Sequence, residues 1–264
     1  MSQKRSIAPT VPAATVLLLR DAPDGLEVFM VVRHHQIDFA SGALVFPGGK
    51  ADPQDFEPEL RELAIGGTDD DDLFGAQVAA LREAFEECGV LLARRLGEDR
   101  LIDGERLASL QTYREPINNG ELGFAQFLRE QHLVLDCGAL GHFAHWITPE
   151  MMPKRFDTHF FVASAPPDQL AVHDGYESVD SVWIRPADAI GDAESGQRTI
   201  IFPTLRNIHA LDRATTVAEA FDQLPAKPVP VLPWMEKRDD GQYLCIPPEA
   251  GYDISEEKMP ERRA

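Results

Sequence analysis

The chain is short of cysteine, short of positive charge and without any long apolar run. Its three cysteines, Cys88, Cys137 and Cys245, lie far apart with no C-x-x-C pair, which excludes a disulfide framework and a cysteine-based zinc site and leaves them as reduced packing residues. Lysine and arginine total 25 against 44 aspartates and glutamates, a formal charge of −19. So acidic a chain excludes nucleic acid as a bulk partner, because phosphate-backbone binding needs a basic face that releases counterions. A small anionic ligand received by a few local cations is not excluded. No stretch approaches the ~20 apolar residues of a membrane span, and the early run "AATVLLL" is followed by Arg20 and Asp21 rather than by a signal cleavage site. No membrane partner and a cytoplasmic location are therefore expected. Internal repeats are also lacking.

What is present fits an ordinary globular protein of 264 residues, 44% of them hydrophobic, long enough for one sizeable core. Two β-rich runs at 13–20 and 26–34, separated by "DAPDG", read as a hairpin. A third run, "GALVF", stops at "PGGKADPQD", where paired glycines favour a tight loop. A helix is expected from about Leu73 to Leu92, capped by Asp71 or Asp72, with the Asp69–Asp72 run otherwise a solvated loop. Residues 95–140 read as a mostly helical insertion. Strands return near 144–148, 157–166 and 178–186, followed by three helical stretches from near Pro186, Pro203 and Val217. The expected organisation is one domain over 11–225 and a tail over 226–264, whose Pro228, Pro230, Pro233, Pro247 and Pro248 argue against regular elements.

The chemistry concentrates in "LREAFEECGVLL". At 100° per residue, Val78, Leu81, Phe85, Cys88 and Leu92 form one stripe, and Glu83, Glu86 and Glu87 fall nearly opposite, away from the core. Carboxylates so spaced repel one another. One reading is a solvated acidic face partly relieved by Arg82; the other is a hard divalent cation such as Mg²⁺, which prefers carboxylate oxygens and is often completed by substrate phosphates. The strand ending in "FPGGK" upstream favours the second, since glycines let backbone approach a ligand or metal closely.

These residues resemble the box of the Nudix hydrolases. Gly49 is followed after five residues by Asp55, where the family has Glu, and "REAFEECGV" places Arg82, Glu83, Glu86, Glu87, Gly89 and Val90 at matching positions. Ala84 replaces an aliphatic residue, and 26 residues separate Asp55 from Arg82 where the family has seven, an insertion of 19 around 56–74. Doubling a surface loop adds only about 0.6 kcal/mol of closure entropy, so the box can survive it. "GALVFPGGKAD", "HWITPEMMPKRFDTHFFVA", "DGYESVDSVWIRPADAI" and "FPTLRNIHAL" are further similar to the branch related to the mammalian peroxisomal enzyme that cleaves coenzyme A and its acyl esters. The ending "ERRA" is not the S-K-L address, so that organelle is not carried over.

The resemblance implies an α/β/α sandwich with a mixed β-sheet, a helical insertion and a C-terminal helical or irregular extension. It implies a diphosphatase using Mg²⁺ or Mn²⁺ held by Glu83, Glu86, Glu87 and the Gly49 carbonyl, with Arg82 orienting a box carboxylate. Coenzyme A or acyl-CoA is the leading substrate, giving 3′,5′-ADP and a 4′-phosphopantetheine product. ADP-ribose or another ADP-linked metabolite, or a sensor that binds without cleaving, are the alternatives. Glu177 is the distal candidate for base or extra ligand, beside a solvated His173. Arg33 and Arg155 are expected on the substrate phosphates, with Lys50 and Lys154 as further cations near strand ends. His142 and His145 of "HFAH" are read as structural, having neither the spacing nor the neighbours of a zinc site. The small phosphoanhydride substrate is the expected partner, and a homodimer is left open.

Overall fold

Alternation along the opening strand sets up the whole architecture. In β1 (Thr10–Ala22) the side chains of Ala14, Val16 and Leu18 enter one apolar cluster and those of Leu17 and Leu19 enter another, so the strand is covered on both faces. The structure is a computed structural model that describes residues 7–33, 42–169, 171 and 178–259, with the side chains of Arg33, Ser178 and Val179 outside that description.

A tight turn joins β1 to antiparallel β2 (Gly25–Arg33), as the hairpin reading expects. Two short strands, β3 (Leu44–Val45) and β4 (Gly48–Lys50), then pair with β2 and β1. After β5 (Ala64–Ile65) comes α1 (Asp71–Cys88), which lies across the first apolar cluster, followed by β6 (Ala93–Arg95). The insertion supplies α2 (Gly104–Leu110), α3 (Arg114–Asn118), α4 (Phe124–Glu130) and β7 (Leu133–Asp136). The main sheet resumes with β8 (Gly141–Ile147), β9 (Arg155–Ser164) and β10 (Ser178–Ile184). On its other face sit α5 (Pro186–Glu194), α6 (Phe202–Leu211) and α7 (Val217–Asp222), packed on the second cluster. The chain continues through β11 (Pro230–Val231), β12 (Trp234–Arg238), β13 (Gly241–Cys245) and β14 (Glu256–Lys258).

The main sheet runs β10-β2-β1-β9-β8-β11, with β1/β9 and β8/β11 parallel and the other pairs antiparallel. It is therefore the mixed sheet between helical layers that the box resemblance implies. Among the described residues no helix is long and apolar enough to cross a membrane.

Three expectations are corrected. The helix cap is Asp70, whose carboxylate accepts from the Leu73 amide at 3.0 Å, rather than Asp71 or Asp72; Asp71 instead pairs with Arg61. The helix stops at Cys88 because Gly89 takes a left-handed φ of 67°, a conformation glycine adopts without steric cost. The proline-rich tail is not irregular: β12, β13 and β14 form an antiparallel three-stranded sheet, with Pro233, Pro247 and Pro248 outside its strands. Prolines at strand boundaries cost no ladder hydrogen bond, so their number alone was a poor guide.

The cap assignment is checked by urea unfolding. Asp70→Ala should lower stability by about 1 kcal/mol at unchanged m-value. Asp72→Ala should lower it by about 0.5 kcal/mol or less.

Candidate active site

The acidic face of α1 is not solvated. From Phe74 to Cys88 every residue of the helix is buried, including Arg82, Glu83, Glu86 and Glu87 at 6–8% exposure. What offsets the repulsion is the Arg82 guanidinium. Its Nη1 donates to Glu83 Oε1 at 3.0 Å and Glu86 Oε2 at 2.9 Å, its Nη2 to Asp55 Oδ2 and the Lys50 carbonyl, both at 3.0 Å, and its Nε to Asp55 Oδ1 at 3.0 Å. A planar fork with five N–H groups can do this where lysine could not.

Asp55 reaches Arg82 because of its own turn. Residues Pro53–Phe56 form one turn of 3₁₀ helix in which Asp55 Oδ2 accepts from the Asp52 amide at 2.8 Å, leaving both oxygens facing the guanidinium. The shorter side chain thus makes the contact in full and is buried to 1% exposure. The 19-residue insertion folds back along the helix: the Phe56 ring packs where a Cβ on Gly75 would stand, and Arg61 donates to the Thr68 carbonyl. The Gly-Gly bend closes the other side. The Gly48 amide donates to Glu87 Oε2 at 2.9 Å, and a Cβ on Gly49 would meet the Glu83 carboxylate at 2.6 Å, so only glycine lets this strand approach.

Burial raises the Asp55 carboxyl, partly countered by Arg82. Burial also raises Glu86, and the Arg82 charge and hydrogen bond do not fully restore it. Burial by itself would lower the Arg82 guanidinium, but the Asp55 hydrogen bond and the surrounding carboxylates outweigh it and hold it charged. One acceptor is orphaned: Glu86 Oε1 is buried without a hydrogen-bond partner. A buried carboxylate oxygen in that state costs free energy unless a cation receives it. The oxygen donors here, with glycine backbone beside them, suit a hard divalent ion.

Arg82, Glu83 and Glu86 sit in the wall of a cleft of about 1640 Å³. Lys50 and Lys154 line it too, so two of the four expected cations are in place. Arg155 is not: it is buried, its Nε donating to the Thr148 carbonyl and its Nη1 to the Ala8 carbonyl, both at 2.9 Å, so it ties the β8–β9 connection to the N-terminal segment instead of facing a phosphate. The Arg33 side chain, Glu177 and His173 lie outside the described residues. Sequence reasoning missed Met235, Gln242, Leu244 and Met259 of the C-terminal sheet region, which line the cleft with Trp146 and Phe156. Nothing in the tail's local pattern marked those residues, because their role depends on where the small sheet docks.

The mixed sheet between helical layers, with a carboxylate-bearing helix beside a Gly-Gly bend, defines a Nudix domain. Comparison is more specific: the NUDT19 Nudix domain family matches residues 67–211, and the chain belongs to it. It is 26% identical over 212 residues to the acyl-coenzyme A diphosphatase NUDT19 of Xenopus laevis, covering 64% of this chain and 55% of that protein. The Gallus gallus protein of the same name is 27% identical over 234 residues, covering 67% and 61%. The chain thus spans little more than half the length of these relatives. The crystal structure of a NUDIX hydrolase from Alicyclobacillus acidocaldarius is similar over 84% of this chain and all of that one, at 29% identity and a TM-score of 0.70.

The raised Glu86 carboxyl has a measurable sign. Its proton is held more tightly in the native than in the unfolded protein, so without metal the stability falls as pH rises from about 4.5 through the raised pKa. Glu86→Gln should flatten that decline in urea unfolding run in chelator. Equal slopes in the two proteins would show that Glu86 is not its source.

Proposed function

We propose that the chain hydrolyses the diphosphate linkage of a nucleoside diphosphate derivative of the coenzyme A class. The observation that carries this reading is the composition of the cleft. Carboxylates and lysines line it together with the apolar side chains of Met151, Met152, Met235, Phe156 and Leu244. A diphosphate bearing a long flexible thioester or thiol arm needs both, and methionines adapt to chains of varying shape. The acyl-coenzyme A diphosphatase relatives support the same choice.

Water adds to one phosphorus, the bridging P–O bond breaks, and the leaving phosphate carries away the bridging oxygen, giving 3′,5′-ADP and a 4′-phosphopantetheine product. Lys50 and Lys154, on the cleft wall, meet the phosphate oxygens as mobile point charges. Arg82 positions Glu83 and Glu86 by the hydrogen bonds already described and takes no part as nucleophile or acid. Glu86, whose Oε1 is buried without a partner, is assigned to the ion, and the proton of the attacking water goes to a base outside the box. Glu177 remains the distal candidate from the sequence. Glu83, Glu86, Glu87 and the Gly49 carbonyl would hold Mg²⁺ or Mn²⁺, which supplies neutralisation of the charge developing on the transferred phosphoryl oxygens.

A panel of coenzyme A, acyl-CoA, ADP-ribose and dinucleotides, each with Mg²⁺ and with Mn²⁺, tests the assignment. Coenzyme A or its acyl esters should turn over fastest, and Glu86→Gln should lose at least about 10²-fold in turnover while still folded. Fastest turnover of ADP-ribose would move the substrate to ADP-linked metabolites. Tight binding with no product under any metal would make the protein a sensor.

A further inference from the structure

The strand pair β8–β9 lines the cleft with one face and carries a second cluster on the other. On the cleft side stand Trp146, Phe156, Thr158 and Phe160. On the α1 side stand His142, His145, Asp157 and His159. Asp157 and His159, two apart on β9, share a face as any i, i+2 pair in a strand does. His142 and His145, three apart on β8, would point to opposite faces of a regular strand. A β-bulge prevents that: His142 pairs with Phe161 and Ala144 with Phe160, so Phe143 is the extra residue and His145 returns to the face of His142, directly across from His159.

The result is a compact group of ligand chemistry. One atom each from His145, Asp157 and His159 lies within 4.8 Å of the others. His145 Nε2 and Asp157 Oδ1 are in direct contact, the His145 and His159 rings stack with centroids 4.1 Å apart, and His142 Nε2 lies 3.0 Å from His159 Nδ1. His145 and Asp157 are 16% and 36% exposed at their side chains, so the group is held by the sheet yet reachable from solvent. Asp70 at the α1 cap adds negative charge near His159, and Lys227 places an opposing charge near His142.

We propose that His145, Asp157 and His159 bind a divalent transition-metal ion of the zinc class, with His142 fixing the ring of His159 from outside. Two imidazoles and one carboxylate are a donor set that zinc accepts and that magnesium does not favour, and three protein ligands leave a position for water. An outer partner on the second nitrogen of a ligating histidine is the usual companion of such sites. The ion would cross-link β8 to β9 behind the aromatic wall of the cleft, and its donor chemistry differs from that of the carboxylates of α1.

The test uses the untagged full chain, stripped with chelator and equilibrated with Zn²⁺ in a large excess of Mg²⁺. One zinc per chain should be retained and should raise the unfolding temperature. His159→Gln and, as a variant that preserves shape, Asp157→Asn should each bind it at least about 10-fold more weakly, while Glu86→Gln should bind it as the parent does. Co²⁺ in place of Zn²⁺ should give the visible absorption of a low-coordinate nitrogen–oxygen site, lost in His159→Gln. Zinc retained equally by the strand variants, lost in Glu86→Gln alone, or not retained by the parent would overturn the proposal. So would a cobalt spectrum no different from that of the hydrated ion.

Discussion

The Arg82 guanidinium is the interaction on which the rest of the site depends. It gathers Asp55, Glu83, Glu86 and the Lys50 carbonyl around one cation, and so joins the Gly-Gly strand, the 3₁₀ turn and the central helix at a single point. Buried carboxylates this close would drive the helix from the core or take up protons without it. It satisfies them only in part, since one Glu86 oxygen has no partner. A buried carboxylate oxygen in that state is a place for a cation.

Around this point the protein carries extra segments that would be liabilities if they folded alone. The segment inserted in the box contributes β5, the helical insertion contributes β7, and with β6 they form one small sheet, so each insertion satisfies the backbone of the other. Arg114 of α3 donates twice to the Glu86 carbonyl, at 3.1 and 2.9 Å, bracing the end of α1 from the insertion side. The C-terminal sheet region adds Met235, Gln242 and Leu244 to the lining of the cleft. The two halves of the split box are thus braced by contacts from distant parts of the chain.

The β8–β9 pair shows how one element serves two ends. Period-two alternation gives the pair an aromatic cleft-facing side and a histidine-rich side, and the bulge at Phe143 decides which residues belong to which. A tight Arg155 clamp on two carbonyls fixes the start of β9, so the wall it forms is positioned before any ligand arrives.

The mixed sheet came from the resemblance of the box, while the sequence by itself determined the opening hairpin, the central helix and the placing of Glu83, Glu86 and Glu87 on one face. Each follows from short-range spacing: period two in strands, 3.6 in helices, glycine pairs at bends. Only tertiary structure decided that the acidic face is buried, that Asp55 completes the arginine's shell from 27 positions away, and that Arg155 faces carbonyls rather than the cleft. It likewise decided that a proline-rich tail becomes a sheet and that "HFAH" meets "DTH" across a bulge. These features arise where segments remote in sequence compete for the same space and the same hydrogen bonds, and local periodicity carries no record of that competition.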